Sequence, residues 1–262
     1  MRIRDVMERP ASVPASLYTR AYYLTECGGH EEFAASRGET LPRRLALALG
    51  LVPLGPGVRV LDLGAGRGEA ARFAARRGAS AWGLDYSLDA ALLQKELGGK
   101  AVLASLLSVP APSASFDVVL MLDVVEHLHP HELERALAEA RRLLRPQGRL
   151  IVHTSPSTWY YRFGYPLYRA FMGLRGVRLP RDPRDRLPVS HAMHVNEQSP
   201  PRLRRALTAA GFRSRVFLAS TDDYAREKNS LVRLVMRVAA GAAPLKYVFG
   251  NDIFAVAWKA AP

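Results

Sequence analysis

From about residue 57 onward, short apolar runs alternate with longer stretches in which apolar residues recur every three or four positions. The short runs are "RVLDLG" (59–64), "SAWGLD" (80–85), "AVLAS" (101–105), "FDVVLML" (116–122) and "RLIVHT" (149–154), and they predict five strands. The clearest helix runs from His131 to Leu144, with Leu133, Leu137, Ala140 and Leu144 on one face and Glu132, Glu134, Arg141 and Arg142 on the others. The "RPQG" that follows (145–148) predicts its end. Farther on, Ser199 and Pro200 read as an N-cap and first helical position, with Leu203, Leu207 and Ala210 as the apolar face and Gly211 as the stop. "RSRVFLA" (213–219) and "IFAVAWK" (253–259) predict two closing strands, with a helix over 227–243 between them. Strands alternating with helices across short connections predict a parallel sheet covered on both faces. The alternation fails between Ser155 and Gln198, through an aromatic stretch (158–168) and a proline–arginine stretch (178–188). A segment of that length inside a compact domain is functional or hides helices of its own.

The junction "VLDLGAGRGEAARFAA" (60–75) carries glycine at alternate positions, Gly64, Gly66 and Gly68. Glycine is poor filler in a strand or a helix, so three of them between the two need a reason. A loop leaving a strand for a helix offers unpaired N–H groups, and glycines let a ligand approach that backbone directly. The next strand ends at Asp85, where a carboxylate can accept hydrogen bonds from both hydroxyls of a ribose. Together these features predict a site for an adenosine-containing cofactor. A dinucleotide fingerprint places its third glycine three residues after the second; here that position is Glu69, which would also oppose a pyrophosphate.

The glycine spacing, with "LDLGAGRG", "GLDYS", "SFDVVLMLDVVEHL" (115–128) and "LLRPQGRLIVHTSP" (143–156), resembles the class I S-adenosylmethionine-dependent methyltransferases over roughly residues 55–160. A fainter likeness lies in "HVNEQSPPRLRRALTAAGF" (194–212). The resemblance implies an α/β, Rossmann-like, doubly wound sheet of seven strands, mostly parallel with the last strand antiparallel and helices on both faces. It implies S-adenosyl-L-methionine as cofactor, with Gly64, Gly66 and Gly68 shaping the methionine pocket. Asp62 would hold the loop and reach the amino group through water. Asp85 would take the ribose, Tyr86 would lie beside the adenine, and the backbone near Leu122 would complete the methionine side. Where the family often has an acid facing the adenine amino group, this chain has Ser105, so adenine contacts at Ser105 and Leu106 fall to the backbone.

The whole of 1–262 is expected to be one methyltransferase domain: a helical lid region (1–54), the cofactor-binding core (55–155), an insertion capping the substrate (156–198) and the C-terminal part of the sheet (199–262). His127 follows the fourth strand at the carboxyl edge and is a candidate general base or a scaffold for its loop. His194 is a candidate for orienting the acceptor, whereas His153 reads as packing. His191 and His194 are three apart, but no carboxylate completes a metal site at known spacing, so no metal is expected. Tyr18, Tyr22 and Tyr23 would cover the cofactor or pack ahead of the core.

Composition changes this picture in two places. Only five of the 37 basic residues are lysine, and the net charge is +13. Arginine richness can come from GC-rich coding, or it can attract a phosphorylated substrate, a nucleic acid or a membrane surface. Arg178, Arg181, Arg184 and Arg186 could in that case grip an anionic acceptor. No apolar run reaches the roughly 18 residues of a membrane span. The start of the sequence has no apolar stretch of secretory type, and Cys27 stands alone, so a cytoplasmic protein without internal disulfides is expected. The reading is methyl transfer to an oxygen, ahead of a nitrogen, of a small acceptor that is anionic or glycosylated. Its rivals are a nucleic-acid methyltransferase, disfavoured by the lack of an "NPPY" or "DPPY" motif, a non-catalytic cofactor-binding regulator, and a nucleotide-dependent oxidoreductase.

Overall fold

In a computed structural model that describes residues 11–186, 192–222, 224 and 227–260, seven strands form one sheet. They are β1 (Arg59–Leu63), β2 (Ser80–Asp85), β3 (Ala101–Leu103), β4 (Phe116–Leu122), β5 (Leu144–Thr154), β6 (Phe212–Ala219) and β7 (Asp252–Lys259). Their spatial order is β3-β2-β1-β4-β5-β7-β6, parallel except for β7, which runs antiparallel to both of its neighbours. This is the expected doubly wound sheet. The chain leaves β1 toward β2 on one side and later returns to β4 on the other, so a crevice opens at the carboxyl ends of these strands.

The helices that cover the sheet are α1 (Arg20–Thr25), α2 (His30–Ser36), α3 (Arg43–Leu49), α4 (Glu69–Arg76), α5 (Leu88–Glu96), α6 (Pro130–Leu143), α7 (Tyr165–Leu174), α8 (Pro200–Ala209), α9 (Ser230–Gly241) and α10 (Lys246–Phe249). One face of the sheet packs against Leu133, Leu137 and Ala140 of α6 and Leu203 and Leu207 of α8. The other packs against Leu45 and Leu49 of α3 and Ala70, Ala71 and Ala74 of α4. The central strands are apolar on both faces, as in parallel sheets, and Val60, Leu63, Val119, Leu120 and Met121 are wholly buried. Each such leucine is worth about 1.5–3 kcal/mol relative to leaving it exposed.

The helix read as His131–Leu144 runs one residue earlier at each end; Pro130 takes its first position, and the Glu132 carboxylate reaches back to accept from the His129 N–H at 2.8 Å. The strand read as 149–154 begins at Leu144, passing through "RPQG" rather than starting after it. Leu144 pairs with Phe116 across a register shift that admits the extra residues. At α8, the Ser199 hydroxyl accepts from the Arg202 N–H, as the sequence predicts. The segment between Ser155 and Gln198 does contain a helix, α7, entered through a wide π-helical turn at Tyr160–Gly164. Among the described residues no helix is long and apolar enough to cross a membrane.

Candidate functional site

The carboxyl ends of β1, β2 and β4 open into a cleft of about 1140 Å3, its open mouth included. Asp62, Gly64, Gly66, Asp85, Tyr86, Ser105, Leu106, Leu122 and His127 all line it. Gly68 and His194 do not. Gly68 stands behind the loop as the N-cap of α4, where a Cβ would meet the Gln94 side chain at 2.7 Å. Gly64 has a φ of +73°, and a Cβ there would come within 2.6 Å of a Val124 methyl. Gly66 faces the cleft, and its N–H donates to Asp85 at 2.9 Å. The second Asp85 oxygen accepts from the Ser87 N–H at 2.9 Å. Asp85 is therefore tied to the loop and the start of α5 before any ligand arrives. Burial raises its pKa, and the Ser87 and Gly66 N–H groups offset part of that rise.

Asp62 is buried and accepts no hydrogen bond among the described residues. Burial, with Asp85, Glu69 and Asp123 nearby, pushes its carboxyl up to about 7. Glu69 is also buried, and one of its oxygens has no partner. A cleft wall holding under-partnered carboxylates is incomplete without a cation. S-adenosylmethionine carries an amino group and a sulfonium, so these residues fit that group.

The sequence reading missed Arg67, Arg44 and Asp123, and it used Glu69 only to argue against a pyrophosphate. Buried Arg67 donates to the carbonyls of Tyr23 and Gly28, each at 2.7 Å, and to Glu69 at 2.8 Å. It fastens the segment carrying α1 to the glycine loop, and Tyr18, Tyr22 and Tyr23 from that segment line the cleft. Arg44 Nε donates to Asp123 at 2.6 Å. The other Asp123 oxygen meets His153 Nδ1 at 2.5 Å, and His153 Nε2 reaches Asp252 at 3.2 Å. Burial alone would push His153 down, but the two carboxylates outweigh it and hold it at about 9. Arg44 and His153 likewise hold Asp123 well below the usual carboxylate range against the effect of burial. His153 is thus packed, as expected, against Phe254, with ring centroids 4.6 Å apart, and the two carboxylates favour its charged form.

His127 lies in a tight turn, Val125–His127, after β4. Burial and the adjacent His194 push it down to about 3, so its ring is neutral at pH 7. The His194 ring stands edge-on to it, with centroids 4.9 Å apart. Glu126 beside them is pushed up to about 7, by burial first and by Asp123 second. The expectation of no metal rested on carboxylates near His191 and His194 along the chain; Glu126 comes from the turn after the central strand β4 instead. His191 lies outside the described residues. Arg178, Arg181 and Arg184 do not line the cleft, and Arg184 forks onto Asp182 at 2.7 Å.

Residues 61–152 match the family described as a methyltransferase domain. The chain is similar to a demethylmenaquinone methyltransferase of Tropheryma whipplei, 33% identical over 124 residues that cover 44% of this chain and 48% of that protein. It is also similar to a 27-O-demethylrifamycin SV methyltransferase of Amycolatopsis mediterranei, 31% identical over 132 residues that cover 47% and 48% of the two chains. The chain thus spans about half the length of the curated relatives it matches. A solved SAM-dependent methyltransferase from Archaeoglobus fulgidus shares the fold, with a TM-score of 0.58 at 20% identity over 88% of this chain and 100% of that one. With the glycine loop, the acids at the ends of β1 and β2 and this ordered core all in place, residues 61–152 form a methyltransferase domain, and S-adenosylmethionine is the cofactor that its cleft fits.

Proposed function

We propose that the chain transfers a methyl group from S-adenosylmethionine to an oxygen of a small-molecule acceptor. The observation that carries this reading is the division of one cleft. Strand order puts Asp85 on one side of β1 and His127 on the other, with Asp62 between them. The acids hold the cationic, ribose-bearing cofactor, and the His127 imidazole is left for the acceptor. When bound, the cofactor supplies a methyl carbon already activated by its sulfonium, so the protein's part is largely proximity and orientation. His127 receives a hydrogen bond from the acceptor hydroxyl and aims its oxygen. Tyr18, Tyr22 and Tyr23 keep water out. The end of the 156–198 insertion, where Met193 packs with Tyr18 and Tyr23, closes the acceptor side.

The test is incubation with methyl-labelled cofactor and a panel of hydroxylated small molecules, glycosides, quinols and RNA, with mass spectrometry to locate the label. Label in a methyl ether is the expected result. Label on a ring carbon or in RNA overturns the oxygen reading. His127→Ala is expected to lower turnover by about 10²-fold, at the low end for a group that handles the acceptor proton, with cofactor affinity unchanged. Loss of cofactor binding along with turnover would mark His127 as a scaffold residue.

Cofactor affinity is expected to depend on pH through Asp62. Its folded-state pKa, about 7, lies above the ordinary 3.8, so ionising it works against the apo fold as pH rises between those values. A bound cation reverses that preference. Affinity should therefore climb as pH rises toward about 7, by up to about tenfold per unit, and level off above it. Calorimetry across that range checks the slope, and Asp62→Asn should flatten it.

A further inference from the structure

We infer that Glu126, His127 and His194 form a binding site for a divalent transition-metal cation at the acceptor side of the cleft. One ligand-type atom from each of the three lies within 4.8 Å of the other two. Two imidazoles with one carboxylate suit first-row cations such as Zn2+, Co2+ or Fe2+, whereas Mg2+ and Ca2+ favour all-oxygen sets. Three protein ligands leave coordination positions open, the pattern of sites that take a substrate rather than of purely structural sites.

The triad is held in place before any cation arrives. His127 follows Glu126 directly in the turn after β4. The stretch after His194 is pinned to that same turn, because the N–H groups of Val195 and Asn196 both donate to the Glu126 carbonyl, at 2.9 and 3.0 Å. One Glu126 oxygen accepts from the Thr154 hydroxyl at 2.7 Å, an outer contact of the kind that orients a ligating carboxylate. Glu197 Oε1 lies 3.8 Å from His194 Nδ1, placed to orient that ring in turn.

A second observation points to an occupant. Nδ1 of His127 is buried without a hydrogen-bond partner. Buried polar side-chain atoms are nearly always satisfied, so an orphaned imidazole nitrogen within the triad calls for a missing partner. A ring that only scaffolded its loop would spend both nitrogens on the protein. Because His127 also lines the cleft, a cation held there would adjoin the acceptor and take over the part given above to the bare imidazole. An acceptor oxygen bound there would be polarised and would ionise at a lower pH. That consequence rests on the oxygen-transfer reading; the site itself does not.

The test uses the full chain, freed of metal with a chelator and titrated with Co2+, read by visible absorption and by calorimetry. Saturable binding of one Co2+ per chain, with ligand-field bands and displacement by Zn2+, is expected. His194→Gln and Glu126→Gln should each weaken Co2+ binding by at least about 10- to 100-fold. His131→Gln, which alters the separate His129–His131 stack, should leave it unchanged. Thermal unfolding and S-adenosylmethionine binding of the variants show that they are folded. Absence of saturable binding in the unaltered chain overturns the site, whatever the variants do. So does binding that survives both triad substitutions or disappears with His131→Gln. Methyl transfer plays no part in these readouts, so they stand or fall apart from the proposed reaction.

Discussion

Replacing His153 with alanine is expected to cost the fold about 3 kcal/mol, the low end for breaking a buried ion pair. The imidazole is fully buried and bridges Asp123 and Asp252, so its removal leaves two carboxylates facing a void. The loss stays at the low end because Arg44 still holds Asp123 and the Thr221 backbone and hydroxyl still hold Asp252. The pH dependence has a definite sign. The folded-state pKa of about 9 lies above the ordinary 6.5, so the contribution is complete below about pH 6.5 and disappears as pH rises through 9. Urea unfolding of both proteins should show a wide gap at pH 6.5 that narrows above pH 9. An equal gap at both values would mean that packing against Phe254, not charge, is what His153 supplies.

Asp85→Ala is expected to weaken S-adenosylmethionine binding by about 1.5–3 kcal/mol, or roughly 10- to 150-fold in Kd. The carboxylate sits where β2 ends and already accepts from the loop at Gly66 and from the helix start at Ser87. If Asp85 takes the ribose, its loss removes the acceptor for those hydroxyls, and it slackens the glycine loop at Gly66. Ser105→Ala is the contrast. The Ser105 hydroxyl accepts only the Leu107 N–H at 3.2 Å, and the adenine contacts near it are assigned to backbone, so affinity should scarcely change. Calorimetric titration of the two variants decides the matter: equal affinities would remove Asp85 from the cofactor site.

What could be read from the sequence follows from how local each signal is. Strands such as "SAWGLD" and "FDVVLML" announce themselves by apolar content, and the structure places them at those bounds. The glycine loop and Asp85 are legible because backbone geometry constrains residue type within a few positions. The start of β5 was hidden because a proline and a glycine are turn formers locally, and only pairing with Phe116 makes them strand. The ion-pair chain from Arg44 through Asp123 and His153 to Asp252 joins residues 79, 30 and 99 positions apart. Nothing in the spacing of charges announces such a chain. Arg67 gave no signal either; it looks like filler between two glycines until the α1 segment folds back over it.

That folded-back segment makes the traffic of cofactor a kinetic matter. The Tyr18 carbonyl accepts from Ser87, Arg67 grips the carbonyls of Tyr23 and Gly28, and Arg20 holds Glu96 at 2.7 Å. Tyr18 and Tyr23 are buried beneath this roof and line the cleft, so release of a spent cofactor is expected to wait on the latch. Opening would expose the buried Arg67–Glu69 pair and break its charge-assisted bonds together, so the latch is expected to move as one unit. Turnover should then show a rapid first round followed by a slower steady rate set by release, and Arg67→Ala should erase the difference between the two.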